Sequence, residues 1–302
     1  MRGWWQDLTD LVLPADCAGC GAPRTALCPR CRVALYGHAP RRVRPVPEPA
    51  GLPVVHAAAP YAGEVRTLLL AHKERGALAL AGALGAALAG AVRAGLGASG
   101  AGASGRAGVA GGAGVSGRAG AGGVGTVLLV PVPSARWAVR ARGHDPVRRM
   151  ALAAAGELRR TGTPARVAAV LRQRRPVADQ AGLDARRRLA NLAGALEVTA
   201  GGGRLLGTGQ VVLVDDLITT GASLAEAARA VREATQERTG VRTVVYGAVT
   251  REGRDERRTG ARGESRNWVH GAPEKAAGNT DRHALRAAVI AAPRDSFEMN
   301  RN

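Results

Sequence analysis

The chain of 302 residues is poor in lysine, in aromatic side chains and in acidic side chains. Only eight residues are aromatic, so no extended stacking surface for single-stranded bases is evident. The 43 basic residues include just two lysines, Lys73 and Lys275, and they outnumber the 24 acidic residues to give a net charge of +19. This charge favours an anionic partner such as nucleic acid, a phosphorylated metabolite or a membrane surface. The arginine- and alanine-rich composition is also typical of a GC-rich genome, so the charge alone does not identify the partner.

No segment has the composition of a secretory signal or of a strongly apolar membrane span. The first ten residues hold two Trp and two Asp and lack the basic stretch and long apolar core of a signal peptide. Residues 76–92 are uncharged, but Ala and Gly dominate them, and Leu80, Leu84, Leu88 and Val92 recur at the i, i+4 spacing of a packing helix. We therefore expect a cytoplasmic protein without a membrane span.

All four cysteines of the chain lie within 15 residues, as two C-x₂-C pairs. Cys17 with Cys20, and Cys28 with Cys31, can each present two thiolates to one tetrahedral ion. Disulfides are rare in a cytosolic chain, and a redox pair needs one such motif and not two. The spacing therefore predicts a zinc knuckle within residues 1–36. Because cysteines would fill all four ligand positions, the zinc would be structural and not catalytic.

Composition divides the remainder into a linker, a domain and a tail. Residues 37–53 are rich in Pro and Arg, which is typical of an extended linker. From 54 to 250, strand-like and helix-like segments alternate, which predicts an α/β fold with a mainly parallel sheet and flanking helices. Within that domain, residues 95–125 are nearly all Gly, Ala, Ser and Val, which predicts a flexible insertion. Residues 251–302 have no sustained period and predict a mostly disordered tail, with a helix near 281–291.

The alternation within the domain consists of short apolar runs and amphipathic segments. Strands are predicted at 54–58, 127–130, 166–171, 195–199, 211–214 and 243–249, with a Gly-rich turn at 200–209. Helices are predicted at 64–75, 145–160 and 222–237, and an Arg-rich loop and helix at 172–192.

The most informative stretch is a buried strand that ends in two acids and is followed by a turn and a helix. Asp215 and Asp216 come directly after the apolar run at 211–214. Ligands of doubly wound sheets bind at the carboxyl ends of strands, and the free N–H groups of a helix N-terminus bind phosphate. Two carboxylates would repel a bare phosphate unless they hold sugar hydroxyls or a divalent cation, so the motif predicts a phosphorylated sugar. The turn that would hold the phosphate consists of Thr219, Thr220, Gly221, Ala222 and Ser223.

These residues resemble the phosphoribosyl pyrophosphate (PRPP) signature of type I phosphoribosyltransferases. The resemblance implies that Asp215 and Asp216 hold the ribose 2′- and 3′-hydroxyls while residues 219–223 wrap the 5′-phosphate. It also implies that Mg²⁺ bridges the pyrophosphate and the ribose hydroxyls.

Other motifs look like those of ComF-type phosphoribosyltransferases, a family associated with DNA uptake in competent bacteria. They are the four-cysteine module, residues 72–76, 131–134 and 142–145, and Gln180 with residues 186–191 ahead of 194–196. The resemblance covers about residues 10–250. It departs from the family at His144, Asp145 and Pro146, where an aromatic residue, Asn and Gln are usual, although Pro146 is also suited to begin a helix.

The expected reaction is displacement of pyrophosphate from C1′ of PRPP by a nitrogen nucleophile of an unidentified acceptor. Asp215 and Asp216 would stabilise the positive charge that develops on the ribose. By the resemblance, enzymes that act on 6-oxopurines have an acid where Thr219 stands, so a hypoxanthine–guanine activity is disfavoured. The candidates for the pyrophosphate side are Lys73, Val132, Pro133, Ser134 and Arg142, together with arginines at 172–188.

The alternative is a catalytically inactive PRPP-fold protein that binds nucleic acid or a DNA-uptake protein. The net charge favours this function, and the zinc module could be the contact surface. A mainly electrostatic DNA binder loses affinity steeply with salt, so salt dependence distinguishes the two hypotheses.

Overall fold

Strands and helices alternate along the described part of the chain, which comprises residues 16–97, 125–177, 184–239 and 285–298 of the computed structural model. The strands are β1 (Arg41–Val43), β2 (Val54–Pro60), β3 (Val127–Pro131), β4 (Ala165–Val167), β5 (Leu171–Gln173), β6 (Leu196–Val198), β7 (Gln210–Leu217) and β8 (Arg286–Ala292). The helices are α1 (Pro29–Tyr36), α2 (Gly63–Glu74), α3 (Ala81–Gly97), α4 (Arg136–Arg142), α5 (Pro146–Arg160), α6 (Ala185–Leu192), α7 (Gly202–Leu206) and α8 (Ala222–Thr239). Short 3-10 helices lie at Leu78–Leu80 and Arg294–Ser296.

One six-stranded sheet organises the fold, in the order β1-β2-β8-β7-β3-β4. All neighbours in it pair in parallel, except that β1 is antiparallel to β2. Helices cover both faces, so β3 and β8 are buried along their whole length. The predicted α/β class, with a mostly parallel sheet and flanking helices, is confirmed.

The direction in which the chain adds strands reverses between β3 and β7. From β3 the chain crosses to β4 on one side, whereas β7 and β8 lie on the other side. Ligands of open α/β sheets bind in the crevice outside the carboxyl ends of the strands at such a switch point. The N–H of Val132, directly after β3, donates to the carbonyl of Val214 in β7 at 2.9 Å. The loop after β3 therefore lies beside the end of β7, which carries the two acids.

The sheet separates two apolar cores. On one face, α2, α3 and α5 bury residues such as Leu68, Leu88 and Met150. On the other face, α8 and the β5–β6 hairpin pack against the sheet through residues that include Leu196 and Leu224. The four inner strands β2, β8, β7 and β3 thus have side chains in both cores, and a side chain's position in the strand determines which core it enters.

Helix α3 and the 3-10 turn before it fit the predicted packing helix. The segment Leu78–Gly97 is long and apolar enough to cross a membrane by length and composition, yet half of it is buried within the fold. Its glycines allow close packing, because a Cβ at Gly85 would lie 2.4 Å from the Cβ of Ala153 in α5. This burial is typical of the core helix of a soluble protein.

The predicted helix near 281–291 is wrong, and so is the assignment of this part of the chain to a disordered tail. Residues 286–292 form β8, which lies between β2 and β7 and is buried on both faces. Alanine favours helices, but a strand buried on both faces presents an unbroken apolar run that has no period of its own. The α/β domain therefore includes residues 285–298, beyond the predicted boundary at 250.

Several smaller expectations also differ from the structure. The predicted linker 37–53 contains β1, which pairs with β2 as an edge strand. The strand predicted at 166–171 is divided into β4 and β5, and the predicted turn at 200–209 contains the short helix α7. The strand predicted at 243–249 lies outside the described residues. So do Gln180, residues 1–15 of the cysteine module, 98–124 of the insertion, and 251–284 and 299–302 of the tail.

Candidate functional site

The two acids lie at the carboxyl end of β7. The strand was predicted to end at residue 214, but it continues through both acids and ends at Leu217. Successive side chains of a strand point to opposite faces, so Asp215 and Asp216 diverge. The side chain of Asp216 faces α2, where Lys73 Nζ donates to its Oδ2 at 2.9 Å. Asp215 faces the α8 side, and its Oδ1 accepts the backbone N–H of Asp216 at 2.8 Å. Both acids are buried, whereas 35% of the Lys73 side chain is exposed.

The charges of this cluster do not balance. Burial raises the pKa of Asp215 well above its usual range, the neighbouring charge of Asp216 raises it further, and Lys73 only partly opposes this. The charge of Asp216 raises the pKa of Lys73 and outweighs the opposite effect of burial. Two buried carboxyl groups thus share one ammonium group. A divalent cation or hydroxyl donors at this edge would favour the ionised form of both acids.

Beyond β7, the turn and the start of α8 form a cradle of backbone donors. Gly221 has a φ of +76°, a left-handed conformation that suits glycine, and it precedes the first residue of α8. Within the described part of the chain, no backbone N–H of residues 219–223 donates to another backbone carbonyl. These N–H groups and the positive end of the helix dipole are suited to bind an anion.

The predicted linker covers this cradle from outside. A Cβ at Gly221 would lie 3.2 Å from the side chains of both Leu52 and Pro49. Arg232 of α8 donates to the carbonyl of Gly51 at 2.7 Å, which attaches the linker to the same helix. Residues 49–52 therefore pack against the turn and help to fix its shape.

The structure brings most of the predicted pyrophosphate-side residues to the same edge. Lys73 contacts Asp216 directly, and Val132, Pro133 and Ser134 follow the end of β3 beside β7. Arg142 forms two hydrogen bonds with Glu74, of 3.1 and 2.9 Å, and its charge lies close enough to lower the pKa of Lys73. In this state Arg142 is paired with a carboxylate of α2 and does not contact Asp215 or Asp216.

The unusual residues after Arg142 have a local structural explanation. Asp145 caps α5, since its Oδ1 accepts the N–H of Arg148 at 3.1 Å, and Pro146 is the first helical residue. His144 Nδ1 lies 3.1 Å from the carbonyl of Arg142, and its ring is 6.0 Å from the ring of the buried His72. Burial lowers the pKa of His72. The two histidines therefore pack α2 against the loop that carries Arg142.

One residue at the site was not singled out from the sequence. Arg188 of α6 donates through Nη1 to Oγ1 of Thr219 at 3.3 Å. The sequence placed Arg188 among many arginines at 172–188, and nothing in its spacing separates it from Arg186 or Arg187. Only the packing of α6 against α8 brings it to the turn.

The four predicted zinc ligands lie together. Their Sγ atoms are all within 4.8 Å of one another, and a tetrahedral zinc with Zn–S bonds of about 2.3 Å would hold them about 3.8 Å apart. Burial raises the pKa of Cys17, but N–H groups of Cys28, Cys20 and Gly19 outweigh it and lower this pKa to about 6. Burial raises the pKa of Cys31, and the neighbouring thiols raise it further. The pKa values of Cys17 and Cys31 thus shift in opposite directions, as expected when four thiols lie close together and cannot all ionise. The cluster is compatible with structural zinc.

The cysteine module packs against the helix that carries Lys73. A Cβ at Gly19 would lie 2.7 Å from Cys31 Sγ and 3.3 Å from the side chain of Leu68 in α2. Arg30 of α1 forms an ion pair with Glu64 in the first turn of α2. The cysteine cluster thus supports the amino-terminal half of α2, while Lys73 projects from its last turn.

No family model matches the chain, and no curated protein matches it either. The ComF resemblance therefore stays a hypothesis, with which the clustered cysteines and the mostly parallel sheet are compatible.

Proposed function

We propose that this chain is a ComF-type phosphoribosyltransferase-like protein that binds PRPP and Mg²⁺ at the carboxyl ends of β3 and β7. The observation that carries the proposal is the buried pair Asp215 and Asp216, which shares a single ammonium group at the switch point of the sheet. Paired acids at this place are costly unless a ligand with hydroxyls or a cation satisfies them. The adjacent cradle of N–H groups supplies a phosphate site at the same edge.

Each part of PRPP has a matching part of the site. Asp215 and Asp216 would hold the ribose 2′- and 3′-hydroxyls, and the same two carboxyl groups are the oxygen ligands that would hold a Mg²⁺ ion. The backbone of residues 219–223 binds the 5′-phosphate. Lys73 and the loop 132–134 bind the pyrophosphate, with Arg142 close by. Mg²⁺ would supply positive charge to the pyrophosphate as it leaves.

The reaction that this arrangement favours is a displacement at C1′. A nitrogen lone pair of the acceptor forms the new bond to C1′ while the bond from C1′ to the pyrophosphate oxygen breaks. The electron pair of that bond leaves with the pyrophosphate, whose charge Lys73 stabilises. Any proton lost by the nitrogen passes to water. The two carboxyl groups stabilise the positive charge that develops on the ribose in the transition state.

We further propose that the four cysteines hold one structural Zn²⁺. All four ligand positions would be cysteine sulfur, so none is open for substrate or water. The role of the ion would be to fix α1 and the start of α2 against the α/β domain, and so to position Lys73.

Calorimetric titration of Mg²⁺-PRPP tests the proposed function. The wild type is expected to bind, and the double variant Asp215→Asn/Asp216→Asn is expected to lose at least tenfold in affinity, because it removes both carboxylates that hold the ribose and the cation. Glu233→Gln, which neutralises an exposed carboxyl group of α8, is the control and should bind like the wild type.

Absence of binding to a folded, zinc-containing wild type would contradict the proposal. It would favour the alternative, an inactive PRPP-fold protein that binds nucleic acid or a DNA-uptake protein. Binding that survives unchanged in the double variant would place the ligand elsewhere and would also contradict it.

A further inference from the structure

A second sheet, which has two antiparallel strands, lies beside the site. We use the name "arch" for the β5–β6 strand pair together with α6, that is, the described residues between 171 and 198. Its strands pair from Leu171 with Val198 to Gln173 with Leu196. It leads from the end of β4 to α7, outside the main sheet, and it supplies Arg188 to the turn after β7.

The arch is firmly attached to α8. Glu226 of α8 accepts the N–H of Leu196 at 3.0 Å, and Arg229 donates to the carbonyl of the same residue at 2.8 Å. Val177, Leu192 and Ala195 form a small apolar cluster with Ala222 at the start of α8. Arg188 is therefore held at the turn by a packed element and not by a free loop.

Arg188 is a partly buried cation without an acidic partner in the described part of the chain. Its Nε is buried and has no hydrogen-bond partner there. Among the residues that the structure describes, the acids nearest to Arg188 along the chain pair with other arginines: Asp184 pairs with Arg187, and Glu197 pairs with Arg172 and Arg174. The guanidinium also lies beside the positive end of α8, where a cation is unfavourable. An anion between Arg188 and Thr219 would satisfy both groups.

Lys73 and Arg188, the two cations that the argument uses, lie on opposite faces of the sheet. Lys73 reaches Asp216 from α2, which belongs to the first core, whereas the arch and α8 belong to the second core. In a displacement, the nucleophile approaches C1′ from the side opposite to the leaving group. With the pyrophosphate on the side of Lys73, the acceptor lies on the side of Arg188.

We propose that Arg188 and Thr219 bind a carboxylate of the acceptor, so that the acceptor is an anionic nitrogen compound such as a heterocyclic carboxylic acid. This inference rests on the proposed function. A guanidinium matches a carboxylate with two parallel hydrogen bonds, and Thr219 can donate its hydroxyl proton because its oxygen already accepts from Arg188. The bonds made and broken are those of the displacement at C1′ described above. Arg188 takes no part in making or breaking these bonds and acts only in binding.

Matched pairs of acid and neutral probes test this inference. Nicotinate is compared with nicotinamide, and orotate with uracil, by calorimetry with the free protein and with the protein saturated with Mg²⁺-pyrophosphate. The wild type should bind at least one acid tenfold more tightly than its neutral counterpart. Arg188→Gln should abolish this preference, and Arg188→Lys should restore part of it. Arg187→Gln, on the same helix with an exposed side chain, should retain it.

Binding of ribose 5-phosphate tests whether the anion that Arg188 binds is the 5′-phosphate of PRPP and not a carboxylate of the acceptor. If Arg188→Gln weakens binding of ribose 5-phosphate and leaves the acid preference unchanged, Arg188 serves the 5′-phosphate and the acceptor assignment is overturned. No preference for an acid in either pair, including no binding of any probe, overturns it as well. Because Mg²⁺-PRPP binding is measured separately, a wild type that binds PRPP without preferring acids refutes this inference alone.

Discussion

Asp215 is a buried carboxyl group whose ionised form lowers the free energy of unfolding. Because its pKa is raised in the folded state, folding takes up protons, and the stability of the protein falls as pH rises from the unfolded pKa towards the folded one. Asp215→Asn removes this cost, and an amide oxygen can still accept the N–H of Asp216. We expect the variant to be more stable than the wild type by about 1 kcal/mol near neutral pH, a shift of a few degrees in Tm.

Thermal unfolding between pH 5 and pH 8 measures this effect. The difference in Tm between Asp215→Asn and the wild type should grow as pH rises. Asp216→Asn is the matched control, and it should be destabilising because it leaves Lys73 without its partner. A lower Tm for Asp215→Asn at every pH would show that the Asp215 charge is compensated in the folded protein.

At the scale of the elements, the strand and the helices that begin or end next to a distinctive residue were predicted correctly. The strand before Asp215, the helix after Gly221 and the helix that Asp145 caps all lie close to their expected positions. β8 was missed, because seven buried residues rich in Ala give no strand period and favour a helix by propensity. Arg188 was not distinguished from its neighbours, because its role depends on how α6 packs against α8, which no local pattern records.

The packing of α3 against α5 gives a prediction for two glycines of one helix. A Cβ at Gly85 would lie 2.4 Å from Ala153 Cβ, whereas a Cβ at Gly90 would make an ordinary contact, 3.5 Å from Pro40. Alanine favours a helix over glycine by about 1 kcal/mol. Gly90→Ala should therefore raise the free energy of unfolding by about 0.5–1 kcal/mol. Gly85→Ala should lower it by about 1–3 kcal/mol, because overpacking outweighs the gain.

Urea unfolding of the two variants checks this pair. The decisive result is that the free energy of unfolding changes in opposite directions in the two variants, since both substitutions add the same methyl group to the same helix. If both variants are more stable than the wild type, α3 and α5 do not pack as closely as the structure describes.

At the scale of the whole molecule, the cysteine cluster and the acidic pair Asp215 and Asp216 lie at separate places, but α2 contacts both the cluster and Asp216. Cys17, Cys28 and Cys31 belong to the same core as Leu68 of this helix, and Lys73 projects from its last turn towards Asp216. Loss of the bound ion would leave buried thiols to repel one another or remain protonated, and would weaken the docking of α1 on α2. The sheet itself does not depend on the module, because β3, β7 and β8 pair with one another.

We therefore expect one zinc per chain by elemental analysis, and Cys31→Ser should lose it. Hydrogen exchange should then accelerate in α1 and the first turns of α2, while β7 and β8 remain protected. Affinity for Mg²⁺-PRPP should fall as well, because Lys73 is positioned through α2. A serine at an exposed position of the same module, Arg32→Ser, provides the control and should keep the metal. If Cys31→Ser keeps a full equivalent of zinc and exchanges hydrogen in α1 at the wild-type rate, the four cysteines do not form the proposed site. If the variant loses zinc but hydrogen exchange in α2 and the affinity for Mg²⁺-PRPP stay unchanged, the cysteine module acts independently of the sugar-phosphate site.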